Sequence, residues 1–197
     1  MAEPAPRPWT VEAFFAWQEG QAERYELVDG APVRMMAGAR NVHDDIVVNL
    51  IGELRERLRG GGCRPFTGDG SVQTGPNRIR RPDAGVDCGR RDPDGLTASD
   101  PRLVVEVLSP GNRDLDTALK INEYMGVASL TRILLVEPNA PEAVLWSRTA
   151  EGSWERETLR GLDGEVAVPE LGITLPLARI YEGVEFPARP RLVLEGG

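Results

Sequence analysis

Ile46, Val47, Leu50, Ile51, Leu54 and Leu58 recur at helical spacing, which predicts a long helix with one apolar face. Asn41 is its expected N-cap, Asp44 follows three positions later, and Gly60-Gly61-Gly62 ends it. A shorter helix is expected from a Thr10 cap to about Gly20, with Val11, Phe14, Phe15 and Trp17 as its apolar contacts. Between the two, Tyr25-Glu26-Leu27-Val28 reads as a strand. Asp29-Gly30 is a hairpin turn signal, and Ala31 to Met36 is the return strand.

Further along, the pattern shortens. Cys63–Phe66, Ser71–Thr74, Ala84–Asp87 and Leu103–Leu108 read as strands, and a helix spans about Asp114 to Met125. Thr131 to Val136 is a buried strand. Ala143–Ser147 and Trp154–Leu159 form a hairpin turned at Glu151-Gly152. Pro169-Glu170-Leu171-Gly172 with Ile173–Leu175 is a late edge element, followed by a short helix near Leu177–Tyr181. This mixed order predicts an α/β or α+β fold, a mixed sheet flanked by helices. One domain is expected over residues 9–186, after a mobile Pro-rich segment at 1–8 and before a tail at 187–197 that is free or docked on a partner chain.

At 197 residues, 41% apolar and 27% charged, the chain suits one domain with a full core. No apolar run approaches the roughly 20 residues of a membrane span. The opening Met1-Ala2-Glu3-Pro4-Ala5-Pro6-Arg7-Pro8 lacks the basic end and apolar stretch of a secretory signal, so a cytoplasmic protein is expected. In that compartment Cys63 and Cys88 are expected as free thiols without a catalytic role. A formal net charge of −8 argues against broad binding to phosphate backbones. It leaves room for a local basic stripe. Arg78, Arg80 and Arg81 precede Asp83, and Arg90 and Arg91 follow it, either as a solvated loop or as the cationic rim of a site.

Candidate chemistry begins with Glu106, a carboxylate inside the apolar run Leu103-Val104-Val105-Glu106-Val107-Leu108. Burying it is expensive unless a hydrogen-bond network, a cation or a metal compensates its charge. By alternation it shares a strand face with Val104 and Leu108, close to the Ser109-Pro110-Gly111 break. Asp83 reads either as an ordinary turn aspartate after Pro82 or as a hard oxygen ligand for Mg²⁺ or Mn²⁺. Asp116, Lys120 and Tyr124 share a helix face at spacings of four. Their ordinary reading is a surface ion pair, and their functional one is a lysine reaching toward a scissile phosphate. Glu26 sits in its strand facing away from Tyr25 and Leu27. His43, the single histidine, is by itself a surface or capping residue, and one histidine excludes a His-rich zinc site. Neither a Gly-x-Ser-x-Gly elbow nor a Walker motif is present.

From about Trp9 to Glu182 the chain resembles the Uma-two family of restriction-endonuclease-like proteins, formerly a domain of unknown function. The resemblance rests on Tyr25-Glu26-Leu27-Val28-Asp29-Gly30, on Asn41-Val42-His43 leading to Asn49-Leu50, and on Arg81-Pro82-Asp83. It extends to Leu103-Val104-Val105-Glu106-Val107-Leu108-Ser109-Pro110, to Asp116, Lys120 and Tyr124, and to Pro169-Glu170-Leu171-Gly172-Ile173. It implies a PD-(D/E)XK nuclease fold with a divalent-metal site, hence Mg²⁺- or Mn²⁺-dependent hydrolysis of phosphodiester bonds in DNA. Asp83 and Glu106 are then the motif acids, and Glu26 is a third carboxylate ligand, with His43 close by. The usual position of the motif lysine is Leu108, so the resemblance points to Lys120 on the next helix. A homodimer is expected, since two-fold DNA is matched by a two-fold enzyme. Two alternatives stay open: a catalytically inactive binding or regulatory module on this fold, and a hydrolase of small phosphoesters, which suits the negative charge better.

Overall fold

In the computed structural model, which describes residues 8–35, 40–109 and 115–187, the first helix α1 (Val11–Gln18) starts at Thr10, whose side-chain oxygen accepts the Ala13 N–H at 3.2 Å. Strands β1 (Tyr25–Val28) and β2 (Ala31–Arg34) follow. They form an antiparallel hairpin in which Asp29 and Gly30 take positive φ of 49° and 79°, the turn geometry an Asp-Gly pair favours. The second helix, α2 (Asn41–Arg57), includes Asn41 as its first residue; Arg40 holds the cap position and no side chain caps the helix. The expected Asn41 cap is therefore one residue off. Asp44 in the first turn supplies the negative charge that suits a helix N-terminus. Ile46, Leu50 and Leu54 are fully buried along the predicted face.

The middle of the chain gives β3 (Arg64–Thr67), β4 (Val72–Gly75), β5 (Arg78–Arg80), β6 (Ala84–Asp87) and β7 (Pro101–Val107). Helix α3 (Leu115–Met125), β8 (Arg132–Glu137), β9 (Glu142–Arg148) and β10 (Trp154–Arg160) come next. The end of the described chain is β11 (Glu165–Val168), a 3₁₀ turn (Pro169–Leu171), β12 (Ile173–Pro176) and α4 (Leu177–Ile180). Two strands, β5 and β11, are absent from the sequence expectation. In β5 a short Arg-Ile-Arg run looks like solvated loop, yet Ile79 is fully buried and Arg80 is only 1% exposed. In β11 every second residue is exposed, and the strand exists by pairing with β12.

The described strands make a four-stranded sheet ordered β2-β1-β5-β4, a six-stranded sheet ordered β10-β9-β8-β7-β6-β3, and the β11-β12 pair. The six-stranded sheet is mixed: β7 and β8 run parallel, joined through α3, and its other pairs are antiparallel. Alternation along β7 splits the core as predicted. Leu103, Val105 and Val107 join the large cluster with the buried face of α2, while Val104 packs with Tyr124, Leu130 and Ile133 on the other side. Glu106 shares the Val104 side, so its carboxylate lies under α3. Residues 1–7 and 188–197, and with them most of the two expected mobile segments, lie outside the described residues, as do the expected strand end at Met36 and helix start at Asp114.

One expectation is overturned. Cys63 and Cys88 are joined in a disulfide, Cα–Cα 4.0 Å. The register of β3 on β6 pairs Arg64 with Asp87, which sets the two flanking cysteines opposite one another at the end of the ladder. Sequence spacing alone, 25 residues, carries no trace of that juxtaposition. Closing a loop of this length is worth about 3 kcal/mol through the unfolded state. A Cys63→Ser/Cys88→Ser double variant is therefore expected to unfold that much more easily in urea than the oxidised protein, with the same loss produced in the wild type by a reductant.

Candidate active site

The antiparallel ladder between β6 and β7 ends at the Ala84–Val105 pair. Beyond it Val107 has an N–H with no strand partner on that side, and a buried amide must find one. The Asp83 carboxylate accepts it: Val107 N–H donates to Asp83 Oδ2 at 2.7 Å. This bond fastens Asp83 beside the residue that follows Glu106, so two acids far apart in sequence become neighbours.

Three further side chains close on the pair. His43, in the first turn of α2, places Nε2 3.3 Å from Asp83 Oδ2. On α3, Lys120 Nζ lies 3.2 Å from Glu26 Oε1 and 3.6 Å from Glu106 Oε1. One helical turn later, the Tyr124 hydroxyl donates to Glu106 Oε1 at 2.8 Å. Glu26, His43, Asp83, Glu106, Asp116, Lys120 and Tyr124 line one cavity of about 500 Å³. All five candidate site residues are thus brought together, with His43 drawn out of its ordinary surface role.

Glu26 has a second set of partners. Leu27 pairs with Ile79 across β1 and β5, and the same register sets Glu26 against Arg80. Arg80 Nη1 donates to Glu26 Oε2 at 2.8 Å, and the Arg81 N–H donates to Glu26 Oε1 at 3.0 Å. On its other side Arg80 grips Glu123 with two bonds, Nε to Oε2 at 2.8 Å and Nη2 to Oε1 at 2.7 Å. Thr74 donates its hydroxyl to the same Glu123 at 2.9 Å. Arg80 is therefore neither solvated loop nor exposed rim; it is the buried cation of a charge network. Sequence reasoning missed Arg80 and Glu123 because the short β5 hid the alternation that turns Arg80 inward. It also passed over one available signal: Lys120 is the one lysine among 23 Lys and Arg residues.

The electrostatics follow from this crowding. Burial, reinforced by the charges of Asp83 and Glu26, raises the Glu106 carboxyl to about 7 against the relief given by Lys120 and the Tyr124 hydrogen bond. Burial by itself lowers Lys120, but Glu106 and Glu26 outweigh it and hold the ammonium protonated. The hydrogen bond to Asp83 raises His43. A carboxyl raised on folding binds its proton more tightly in the native state. Its stabilising effect is full below the ordinary 4.5 and is lost as pH climbs through about 7. The raised His43 has the same sign. In metal-free buffer, Glu106→Gln is therefore expected to melt above the wild type at pH 8 and to lose that advantage by pH 5. Thermal unfolding of the two proteins across this range checks it.

The donor set also bears on a metal. Among the described residues no group of three or more His, Cys, Asp or Glu is arranged as a cage for an ion. The oxygens of Glu26 already meet Arg80, Arg81 and Lys120. Beside it, Asp83 and Glu106 are two hard oxygen donors that repel one another at the wall of the cavity. Such a pair suits Mg²⁺, which is commonly bound by one or two carboxylates and completed by water and substrate phosphate.

Residues 11–178 match the model of the family Uma2, described as "Putative restriction endonuclease". The chain belongs to the Uma2 family. A relative from Synechocystis sp. (strain ATCC 27184 / PCC 6803 / Kazusa), the uncharacterized protein slr1290, is 30% identical over 185 residues, 92% of this chain and 96% of that protein. Among solved structures, a "putative nuclease belonging to DUF820" from Anabaena variabilis ATCC 29413 superposes with a TM-score of 0.67 at 17% identity. That match covers 88% of this chain and 98% of the other. At such an identity the likeness speaks for the fold, and the fold is the expected one of mixed sheets flanked by helices. The Uma2 match spans the segments that carry Glu26, His43, Asp83, Glu106 and Lys120. The sequence resemblance and the family model thus agree on a nuclease-like protein.

Proposed function

We propose that this chain is a Mg²⁺- or Mn²⁺-dependent nuclease that hydrolyses phosphodiester bonds in DNA. The observation that carries the reading is the bond from Val107 N–H to Asp83, which sets Asp83 and Glu106 side by side with Lys120 above them. An inactive binding module has no need to keep two repelling acids and a buried ammonium in one cavity. Asp83 and Glu106 are the residues that would hold the ion, which would supply Lewis-acid stabilisation of the negative charge developing on the phosphoryl oxygens. Glu26 serves in this reading as the holder of Lys120 rather than as a third ligand, because its oxygens are already engaged.

The chain's own groups then divide the work. Lys120, kept charged by its two acidic neighbours, offers N–H donors to a phosphate oxygen and favours the more negative transition state. Tyr124 fixes one oxygen of Glu106. His43 steadies Asp83 from the other side. The reading makes the protein a dimer, with two cavities facing the two strands of a duplex. No described helix is long and apolar enough to cross a membrane.

The test is cleavage of plasmid DNA by the purified protein with Mg²⁺, with Mn²⁺ and with chelator, run beside a small chromogenic phosphodiester. Metal-dependent nicking of DNA with little turnover of the small ester is the expected outcome. Turnover of the small ester alone would replace DNA by a small substrate, and inertness toward both would make the chain a binding module.

A further inference from the structure

The residues around Lys120 form a continuous buried line of alternating charge: Glu123, Arg80, Glu26, Lys120, Glu106. Each link is a short contact, from the two Arg80–Glu123 bonds at 2.7 and 2.8 Å to Arg80–Glu26 at 2.8 Å, Glu26–Lys120 at 3.2 Å and Lys120–Glu106 at 3.6 Å. The side chains of Arg80, Glu123 and Glu26 are 1%, 5% and 7% exposed, and that of Lys120 is 15% exposed. The line runs from the interior to the cavity wall and ends on the acid next to Asp83.

We propose that Arg80 and Glu123, which themselves stay clear of the reacting atoms, are positioning residues that hold the chain's one lysine in place through Glu26. The argument is one of atoms. Glu26 has two oxygens and several donors competing for them. Arg80 takes Oε2, which leaves Oε1 aimed at Lys120 and the Arg81 N–H. Arg80 can do so in one orientation only, because Glu123 grips the remaining edge of its planar guanidinium with both oxygens. Glu123 is in turn held by the Thr74 hydroxyl. Loosen Glu123 and the guanidinium can pivot, Glu26 can turn, and the ammonium loses the acid that keeps it over the cavity. A plain structural ion pair differs in one respect. It would hold the sheet and helix together without regard to where Lys120 points.

In its catalytic part the inference rests on the nuclease reading; in its geometric part it does not. A single lysine makes the test direct, since protein grown on ¹⁵Nζ-lysine carries one side-chain ammonium signal, that of Lys120. The variant is Glu123→Gln, which keeps the shape of the side chain and removes its charge. The expected wild-type signal is sharp, slowly exchanging and well away from free lysine; in the variant it moves toward the free position or broadens away. In the DNA-cleavage assay, kcat is expected to fall roughly 10- to 100-fold at unchanged KM, the penalty of a misplaced group. Metal binding by calorimetry should stay within about a factor of two of wild type. Circular dichroism reports whether the variant folds, and if it does not, Thr74→Val, which removes only the hydroxyl behind Glu123, carries the same measurements. A folded variant whose lysine signal and kcat both match wild type, with only a lower melting temperature, would overturn the proposal. A wild type without cleavage activity would remove the nuclease reading, and the lysine signal would still decide the positioning.

Discussion

Asp83→Ala and Glu106→Ala are each expected to abolish divalent-metal binding and with it the hydrolysis of DNA. The effect is large because Asp83 and Glu106 are the two carboxylates to which the proposed reading assigns the ion, set side by side at the cavity wall. Losing the several kcal/mol that a bound ion supplies to a phosphoryl transition state is a loss on the order of 10³-fold or more in rate. The two variants should differ in stability. Removing Asp83 strips the Val107 N–H of its partner, an unsatisfied amide that costs about 1–3 kcal/mol. Removing Glu106 takes away an acid that burial and its neighbours strain, so that variant should lose less. Calorimetric titration with Mg²⁺ and Mn²⁺, single-turnover cleavage and urea unfolding measure the three effects separately. Wild-type cleavage by both alanine variants would show the site to be elsewhere.

The largest stability effect is expected at Arg80→Ala. The guanidinium is 1% exposed and makes three hydrogen bonds to two carboxylates that are themselves almost fully buried. Alanine leaves both Glu26 and Glu123 inside without their cation. Breaking a buried pair in this way costs about 3–5 kcal/mol, chiefly as the penalty of the charges left behind, against a total stability of roughly 5–15 kcal/mol for a domain. Adding Glu123→Gln to Arg80→Ala removes one of the stranded charges and should recover part of the loss. Chemical denaturation of the wild type, the single variant and the double variant gives the comparison. An Arg80→Ala protein as stable as wild type would mean that the network contributes nothing to the fold.

The outline of the fold and three of the five candidate site residues were legible because each has a local signature, whereas Asp83 and His43 carry none and entered through the family resemblance. Glu106 stands out as one acid in a run of Val and Leu, Lys120 shares its helix face with Tyr124, and the Asp-Gly turn fixes the hairpin that presents Glu26. What was hidden depends on pairing between distant strands. The inward turn of Arg80 needs β5 to lie on β1, and a three-residue strand has too little alternation to announce itself. The Cys63–Cys88 bond needs β3 to lie on β6 in one register. The same register hides the role of Asp87, an acid that is buried yet satisfied by Arg64 at 2.5 Å and by the Gly89 and Asp100 N–H groups at 3.0 and 2.8 Å. Nothing local distinguishes it from a surface aspartate.

The cavity's decisive links each join segments far apart in the chain: Asp83 to Val107, Arg80 to Glu123, Glu26 to Arg80. During synthesis, a chain that has emerged only as far as Asp83 already carries Glu26, His43 and Arg80 but neither Glu106 nor Lys120. Chains fold from the N-terminus as they emerge, so the cavity that gathers these side chains stays incomplete until α3 has emerged and docked.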